Sequence, residues 1–274
     1  MDKTGLEFRM RRYETVSRNY LMRRQPVIIR IDGKAFHTFT NGLICPYDEL
    51  FHRVMNDTMR YLCENIQGCV LGYTQSDEIS LLLSDYQKLD TDAWFGYNVQ
   101  KIVSVSASMA TMSFNKFFRR EAIEYSISSD ELDGLSDDEI DKQYAYRDVL
   151  HDIANEGAIF DSRAFNLPKE EVNNYFLWRQ QNCERNFMQA LVQISYSHEQ
   201  TDSLSNNDLQ NKMFTEKGVN WNNCPVKQKR GVCCVYGMHS HKWYTDDNIP
   251  IFSVQPDYIN SRIAFDDSEV DKNG

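Results

Sequence analysis

The chain has 274 residues, 41% of them hydrophobic and 12% aromatic, which is enough apolar material for a packed core in one or two domains. Its formal net charge of −10 excludes a protein that binds polyanions by bulk charge alone, and no apolar run reaches the ~18–20 residues of a transmembrane helix. Seven cysteines with no Cys-x-x-Cys pair read as reduced thiols of a cytoplasmic protein.

A zinc site from Cys224, Cys233, Cys234, His239 and His241 is the minor alternative for those thiols. The first residues show neither the apolar stretch nor the cleavage site of a signal peptide. The charge is segregated along the chain. Residues 9–30 carry seven arginines against one acid, Glu14, whereas 130–141 carry seven acids and no base. With that acidic stretch set aside the formal charge is only −3, so RNA remains an open partner.

In chain order, the spacing of Leu6, Met10, Tyr13, Val16, Tyr20 and Leu21 predicts a helix over 5–24. Its arginines read as a solvated face, with RNA-backbone contact by Arg11 and Arg12 as the alternative. Pro26 releases a strand, Val27–Ile31, that runs into Asp32 and Gly33. Asp48 is a candidate N-cap for a helix to about Ile66, with Phe51, Val54, Met55, Met59 and Leu62 inward. Two strands follow, about 69–74 and 79–84, joined across Gln75-Ser76-Asp77-Glu78. A second amphipathic helix is expected over 93–118.

The acidic segment 121–155 reads as a surface insertion with room for a short helix of its own. A strand at 157–165 then completes βαββαβ, so the fold class is α+β: a ferredoxin-like core of the polymerase-palm kind with an added helical C-terminal region. Pro168 opens a long helix to about Ser197 that carries Trp178-Arg179-Gln180, with Trp178 read as core. A short helix within 201–218, a basic turn at Lys227–Gly231 and a strand at 232–236 come next. The last thirty residues read as poorly patterned and partly disordered. The domain reading is a palm over 1–168, a helical and basic-turn region packed on it over 169–243, and a tail over 244–274.

The chemistry sits at two places. If the strand ending on Asp32 and the hairpin carrying Asp77 share a sheet, their carboxylates converge at one edge. Two carboxylates about 4–5 Å apart do not both stay charged cheaply. A divalent cation between them removes the conflict, and all-oxygen ligation suits Mg²⁺ beside a nucleoside triphosphate. Gly33 lets the backbone turn and approach a ligand closely. Strand alternation means Asp77 and Glu78 do not meet Asp32 as equals, without saying which of them does. Asp-Gly alone is an ordinary turn pair, and Glu78 either orients a ligand or caps the hairpin.

The blocks Arg30-Ile31-Asp32-Gly33-Lys34-Ala35-Phe36-His37, Tyr73-Thr74-Gln75-Ser76-Asp77-Glu78, Phe160-Asp161-Ser162-Arg163, Tyr175–Asn182 and Lys229-Arg230-Gly231 occur in order across roughly 5–243. In them the chain resembles the histidine-tRNA guanylyltransferase superfamily, reverse polymerases that add nucleotides to the 5′ end of tRNA. The resemblance implies two Mg²⁺ ions on Asp32, the Gly33 carbonyl and Asp77, with Asp32, Asp77 and Glu78 as catalytic residues. It implies a nucleotide held by Asp32, Gly33, Lys34, Ala35, Phe36, His37, Ser76, Asp77 and Lys101, and RNA contacts at Arg11, Arg12, Arg179, Lys229 and Arg230. ATP and GTP are the implied nucleotide substrates. The tRNA acceptor stem is the implied partner, in a homotetramer with no membrane association.

Two departures stand out. The family's His-Ile-Asn-Asn-Leu-Tyr-Asn block reads Glu184–Ala190 here, keeping only Asn186, which points to the Thg1-like branch and to template-dependent 5′-end repair. Cys45-Pro46 stands where Lys-Pro is usual. Alternatives are guanosine addition to histidine tRNA as the main activity, a non-catalytic RNA-binding palm protein, and a palm enzyme acting on small nucleotides.

Overall fold

The computed structural model describes residues 5–127, 134–201, 204–238 and 240–263. Strand β1 (Val27–Gly33) is flanked by β4 (Phe160–Asn166) on one side and β3 (Glu78–Leu83) on the other. Beyond β3 come β2 (Cys69–Gln75), β5 (Val232–Gly237) and β6 (Lys242–Asp246), giving one six-stranded sheet of order β4-β1-β3-β2-β5-β6. Every pairing is antiparallel. Because β3 lies between β1 and β2 and opposes both, those two strands run the same way, as a split βαβ unit requires. The C-terminal end of β1 and the turn closing β2 onto β3 therefore lie at the same edge. That topology is the α+β palm core expected from the sequence, and β5 and β6 extend it rather than forming a separate layer.

Alternation along the strands sorts the sheet into two faces. Val27, Ile29, Ile31, Ile79, Leu81 and Leu83 are buried on the face covered by α3 (Glu49–Asn65) and α4 (Val99–Glu124). Ile28, Tyr73 and Leu82 face the other way, against Val172, Tyr175 and Phe176 of α6 (Val172–Gln193). Asp48 caps α3 as expected, accepting from the Phe51 amide at 2.8 Å.

Three elements depart from the sequence reading. Helix α1 spans only Gly5–Thr15 and buries no residue; Val16 and Tyr20 are also exposed, and Tyr20 forms a β-bridge with Asn98 instead. Among the described residues the face over Leu6–Tyr20 is thus left uncovered, and of the expected apolar stripe Leu21 packs against the main core. The acidic segment is not merely a solvated insertion. Its second half is a twenty-residue helix, α5 (Asp137–Glu156), whose Leu150 and Ile153 enter the main core. The Tyr146 hydroxyl of α5 donates to the α3 cap Asp48 at 2.8 Å. The acids at 130, 131 and 133 lie outside the described residues.

The tail is ordered as far as it is described: Ile249, Phe252, Ile259 and Ile263 are fully buried in the second core. Gln180 of α6 stitches it down, donating to the Pro250 carbonyl at 2.9 Å and accepting from the Phe252 amide at 3.0 Å. The remainder of the expected disorder, 264–274, falls outside the described residues. Trp178 is half exposed rather than core, with the Arg179 guanidinium 4.1 Å from its ring centre.

Candidate active site at the sheet edge

The site begins with the register. Asp32 is the Cα partner of Glu78 on β3 and of Asp161 on β4. Residues paired across antiparallel strands share a face, so Arg30, Asp32, Gln75, Glu78 and Ser80 all lie on the α6 side. Asp77 sits in the turn between the strands, after Ser76 with its positive φ of 50°. Its backbone carbonyl accepts from the Gly33 amide at 3.2 Å, tying the hairpin tip to the end of β1. The Ser76 hydroxyl donates to Asp77 Oδ1 at 3.1 Å.

The electrostatics follow from that closeness. Burial raises the Asp77 carboxyl above its ordinary value, and the Asp32 charge raises it further. Glu78 is also raised, chiefly by burial, while Arg179 and Arg30 pull it back down. Arg179 Nε lies 2.9 Å from Glu78 Oε1 and Arg30 Nε lies 3.9 Å from Oε2. Both contacts are ion pairs rather than aligned hydrogen bonds, since among the described residues neither Nε has a hydrogen-bond acceptor in line. Glu78 is thus neutralised from behind by two guanidiniums, whereas Asp77 has Asp32 as its charged neighbour.

The donor set suits one class of metal. Among the described residues no group of three or more His, Cys, Asp or Glu side chains is assembled for an ion, which argues against a closed zinc cage. Cys233 and Cys234, adjacent on β5, project to opposite faces of the sheet, and His239 lies outside the described residues. Two carboxylates and a backbone carbonyl, completed by phosphate oxygens and water, are the ligands Mg²⁺ takes in nucleotide-handling sites. The charge conflict at Asp32 and Asp77 is what such an ion would relieve.

The stretch after Asp32 is shaped by packing. A Cβ on Gly33 would fall 2.2 Å from the Phe36 ring, so glycine is required there by Phe36 as much as by any ligand. Phe36 is buried against Phe39, Phe51, Phe114 and Phe160, leaving only its backbone to meet a nucleotide. Lys34 and His37 are exposed beside it, and Ala35 takes a positive φ of 57° at the start of the short helix α2 (Phe36–Phe39).

Lys101 is not brought to this edge within one chain. Helix α4 runs against β4 with Thr111 Oγ1 accepting from the Phe160 amide at 3.1 Å and Ser106 Oγ 2.8 Å from Ser162 Oγ. Continuing at ~1.5 Å per residue, Lys101 comes level with the middle of β1, ~10 Å short of Asp32. It also lies on the sheet face opposite α6. There it lines a groove with Glu14, Arg18 and Tyr20. Of the expected RNA contacts, Arg11 and Arg12 are exposed on α1. Arg179 is buried on Glu78, and buried Lys229 donates to the Trp221 and Asn222 carbonyls at 3.1 and 3.3 Å. Arg230 is partly buried and donates to the Ile249 carbonyl at 3.3 Å. These three hold the fold together.

Gly231 earns its place in the last block: with φ at +79°, a Cβ would meet the Thr74 carbonyl at 2.5 Å. Sequence reasoning missed Tyr47 and His52, whose rings stack 3.8 Å apart beside the hairpin tip, because nothing in their spacing signals a pair.

The family model described as Thg1, tRNAHis guanylyltransferase, matches residues 7–168. A solved bacterial tRNA(His) guanylyltransferase (Thg1)-like protein in complex with ATP superposes with a TM-score of 0.79 at 40% identity, over 94% of this chain and 99% of that one. A bacterial Thg1-like protein in complex with GTP gives a TM-score of 0.72 at 36% identity, over the same shares. The tRNA(His) guanylyltransferase of Schizosaccharomyces pombe is 24% identical over 90% of this chain and 86% of its own length. An uncharacterised protein, R259, of Acanthamoeba polyphaga mimivirus is 27% identical over 82% of this chain and 74% of its own. With the family model covering the palm and a Thg1-like structure matching nearly end to end, the chain belongs to the tRNA-His guanylyltransferase (Thg1) family of nucleotidyltransferases, on its Thg1-like branch.

Proposed function

We propose that the protein is a Mg²⁺-dependent nucleotidyltransferase that extends the 5′ end of tRNA in the 3′-to-5′ direction. The observation that carries this reading is the placing of Asp32 and Asp77 at one sheet edge, joined through the Gly33 amide and the Asp77 carbonyl, where burial and the Asp32 charge raise the Asp77 carboxyl. Asp32, Asp77 and the Gly33 carbonyl would hold the metal, which supplies charge stabilisation for phosphoryl transfer. The backbone from Asp32 to His37, with Ser76, would hold the incoming nucleotide. In the first half-reaction an oxygen of the tRNA 5′-phosphate attacks the α-phosphorus of a nucleoside triphosphate such as ATP or GTP, releasing pyrophosphate and leaving the 5′ end capped by a phosphoanhydride. In the second, the 3′-hydroxyl of the incoming nucleotide loses its proton and attacks the activated 5′ phosphorus, breaking that anhydride and releasing the nucleoside monophosphate.

Repair of truncated tRNAs, rather than a single guanosine addition, is the favoured substrate class. The block replaced by Glu184–Ala190 lies on α6, where Phe187 and Met188 are buried and burial raises the Glu184 carboxyl above its ordinary value. Packing takes up Phe187 and Met188, and with the family block otherwise replaced, base pairing with the opposing acceptor strand is the source of sequence information in this reading. A mixture of intact histidine tRNA and a 5′-truncated tRNA in one reaction tests this. The truncated RNA is expected to be extended with the higher kcat/KM, and the added nucleotide to follow the template base. Guanosine addition indifferent to that base would restore guanylyltransfer as the main activity.

The position of Lys101 bears on assembly. For it to meet a triphosphate at Asp32, it must come from another copy of the chain, in keeping with a homotetramer. Mixing Lys101→Ala protein with Asp77→Ala protein should then regain activity that neither has alone, through mixed assemblies with one complete site. No recovery on mixing under subunit exchange would place the lysine's role elsewhere.

A further inference from the structure

Beside the Ser76–Asp77 turn, on the flank toward β5, the sheet edge opens into a cavity of about 120 Å³. One wall is the Tyr47–His52 pair, two rings 3.8 Å apart and only 6° from parallel. Burial, reinforced by the Lys227 charge, pulls the imidazole down to about 3, so it stacks as a neutral ring. Gln75 at the cavity is 5% exposed, and its Oε1 is buried with no hydrogen-bond partner among the described residues. An orphaned buried acceptor of this kind is uncommon in a native fold and calls for a donor. Asn56 and Asn186 add neutral amides that can both donate and accept.

The charge pattern narrows the ligand. No carboxylate lines the cavity, and Lys227 is its one cation among the lining residues. Lys227 Nζ is 2.7 Å from Glu49 Oε2 and 5.7 Å from the Tyr47 ring centre, which sets it beside the aromatic wall. The lining is therefore flat and neutral with one ammonium group, a poor match for a whole triphosphate and a good one for a base with a single phosphate nearby. At about 120 Å³ the cavity is somewhat below the roughly 150 Å³ that encloses a benzene ring, so it takes one ring of a base with the rest of the nucleotide in its open mouth.

We propose that this cavity is a base slot for a nucleotide other than the one carried along Asp32–His37. The base stacks on the Tyr47–His52 pair and donates to Gln75 Oε1, while its phosphate meets Lys227. The proposal rests on the nucleotide-transfer reading above and adds where a second nucleotide sits. That nucleotide comes either from the activating triphosphate or from the RNA itself, and the base-and-phosphate chemistry is the same for both.

The test uses 2-aminopurine riboside 5′-monophosphate, whose fluorescence is quenched by stacking, titrated into the full chain in EDTA. Without metal, Asp32 and Asp77 repel the phosphate, so saturable quenching reports the slot. Quenching is expected to survive Asp77→Ala and Tyr47→Phe, and to weaken about tenfold or more in Tyr47→Ala, the range for losing one aromatic platform under a base. Lys227→Ala should weaken the monophosphate about tenfold and leave the unphosphorylated riboside unchanged. In turnover, a raised KM for the activating triphosphate in Tyr47→Ala identifies the free nucleotide as occupant, and a raised KM for 5′-phosphorylated RNA identifies the RNA. The slot is overturned if quenching needs Mg²⁺, if Asp77→Ala abolishes it, if Tyr47→Ala binds as the wild type does, or if neither KM moves. Absence of any nucleotide addition by the wild type would instead sink the transfer reading and leave metal-free binding standing.

Discussion

Replacing either Asp32 or Asp77 by alanine is expected to lower both activation and nucleotide addition by about three powers of ten, some 4 kcal/mol of transition-state stabilisation. The two residues reach the same edge because β1 and β2 run parallel on either side of β3, so neither substitution touches the core. The stability readout should move the other way. Burial and Asp32 hold the Asp77 carboxyl above its unfolded value, so between those two values the native state binds more protons than the unfolded state. Stability in EDTA therefore falls as pH rises through that window. Asp77→Asn removes the Asp77 share of this fall and leaves that of Glu78 and Glu184, and its urea midpoint at neutral pH without metal should equal or exceed that of the wild type. Added Mg²⁺ should stabilise the wild type and not the variant. Near-wild-type turnover by either alanine variant with Mg²⁺ as the only divalent ion would reject the metal assignment.

The sheet and its carboxylate edge were legible because their signals are local. Val27–Ile31 is a continuous apolar strand, the hairpin is closed by a four-residue turn, and βαββαβ order then allows few topologies. What stayed hidden depends on partners distant in sequence. Strand β6 has no apolar alternation, with Lys242, Tyr244 and Thr245 all exposed, and it exists because β5 offers an edge. Helix α5 hides its two core residues among acids, and its docking is fixed by Tyr146 finding Asp48 ninety-eight residues away. Ile249 and Phe252 sit in a stretch without helical or strand periodicity, and their burial depends on Arg230 donating to the Ile249 carbonyl and on Gln180 pairing with the Pro250 carbonyl and the Phe252 amide. Conversely, the apolar spacing over 5–24 is real, but periodicity states only that a face is apolar, not that anything within the same chain covers it.

Arg179 shows the same limit at the site, and its removal should produce the largest loss of stability outside the hydrophobic core. As a surface arginine on a long helix it would be a reasonable RNA contact. In the fold its side chain and that of Glu78 are each 7% exposed, and Arg30, 3.9 Å from the same carboxylate, is 16% exposed. A buried pair is weak evidence for net stability, but deleting one member leaves an uncompensated charge and commonly costs about 3–5 kcal/mol. Arg179→Ala should fall in that range by urea denaturation. Arg30 alone, at its longer distance, would then have to neutralise a carboxylate whose backbone pairs with that of Asp32. Glu78→Gln removes the buried negative charge while keeping the shape. The double variant Arg179→Ala/Glu78→Gln should accordingly be more stable than Arg179→Ala alone, a coupling that a cycle of the four proteins measures directly. If the two losses simply add, the 2.9 Å contact carries no interaction energy, and what Arg179 contributes comes from the burial of its side chain rather than from its charge.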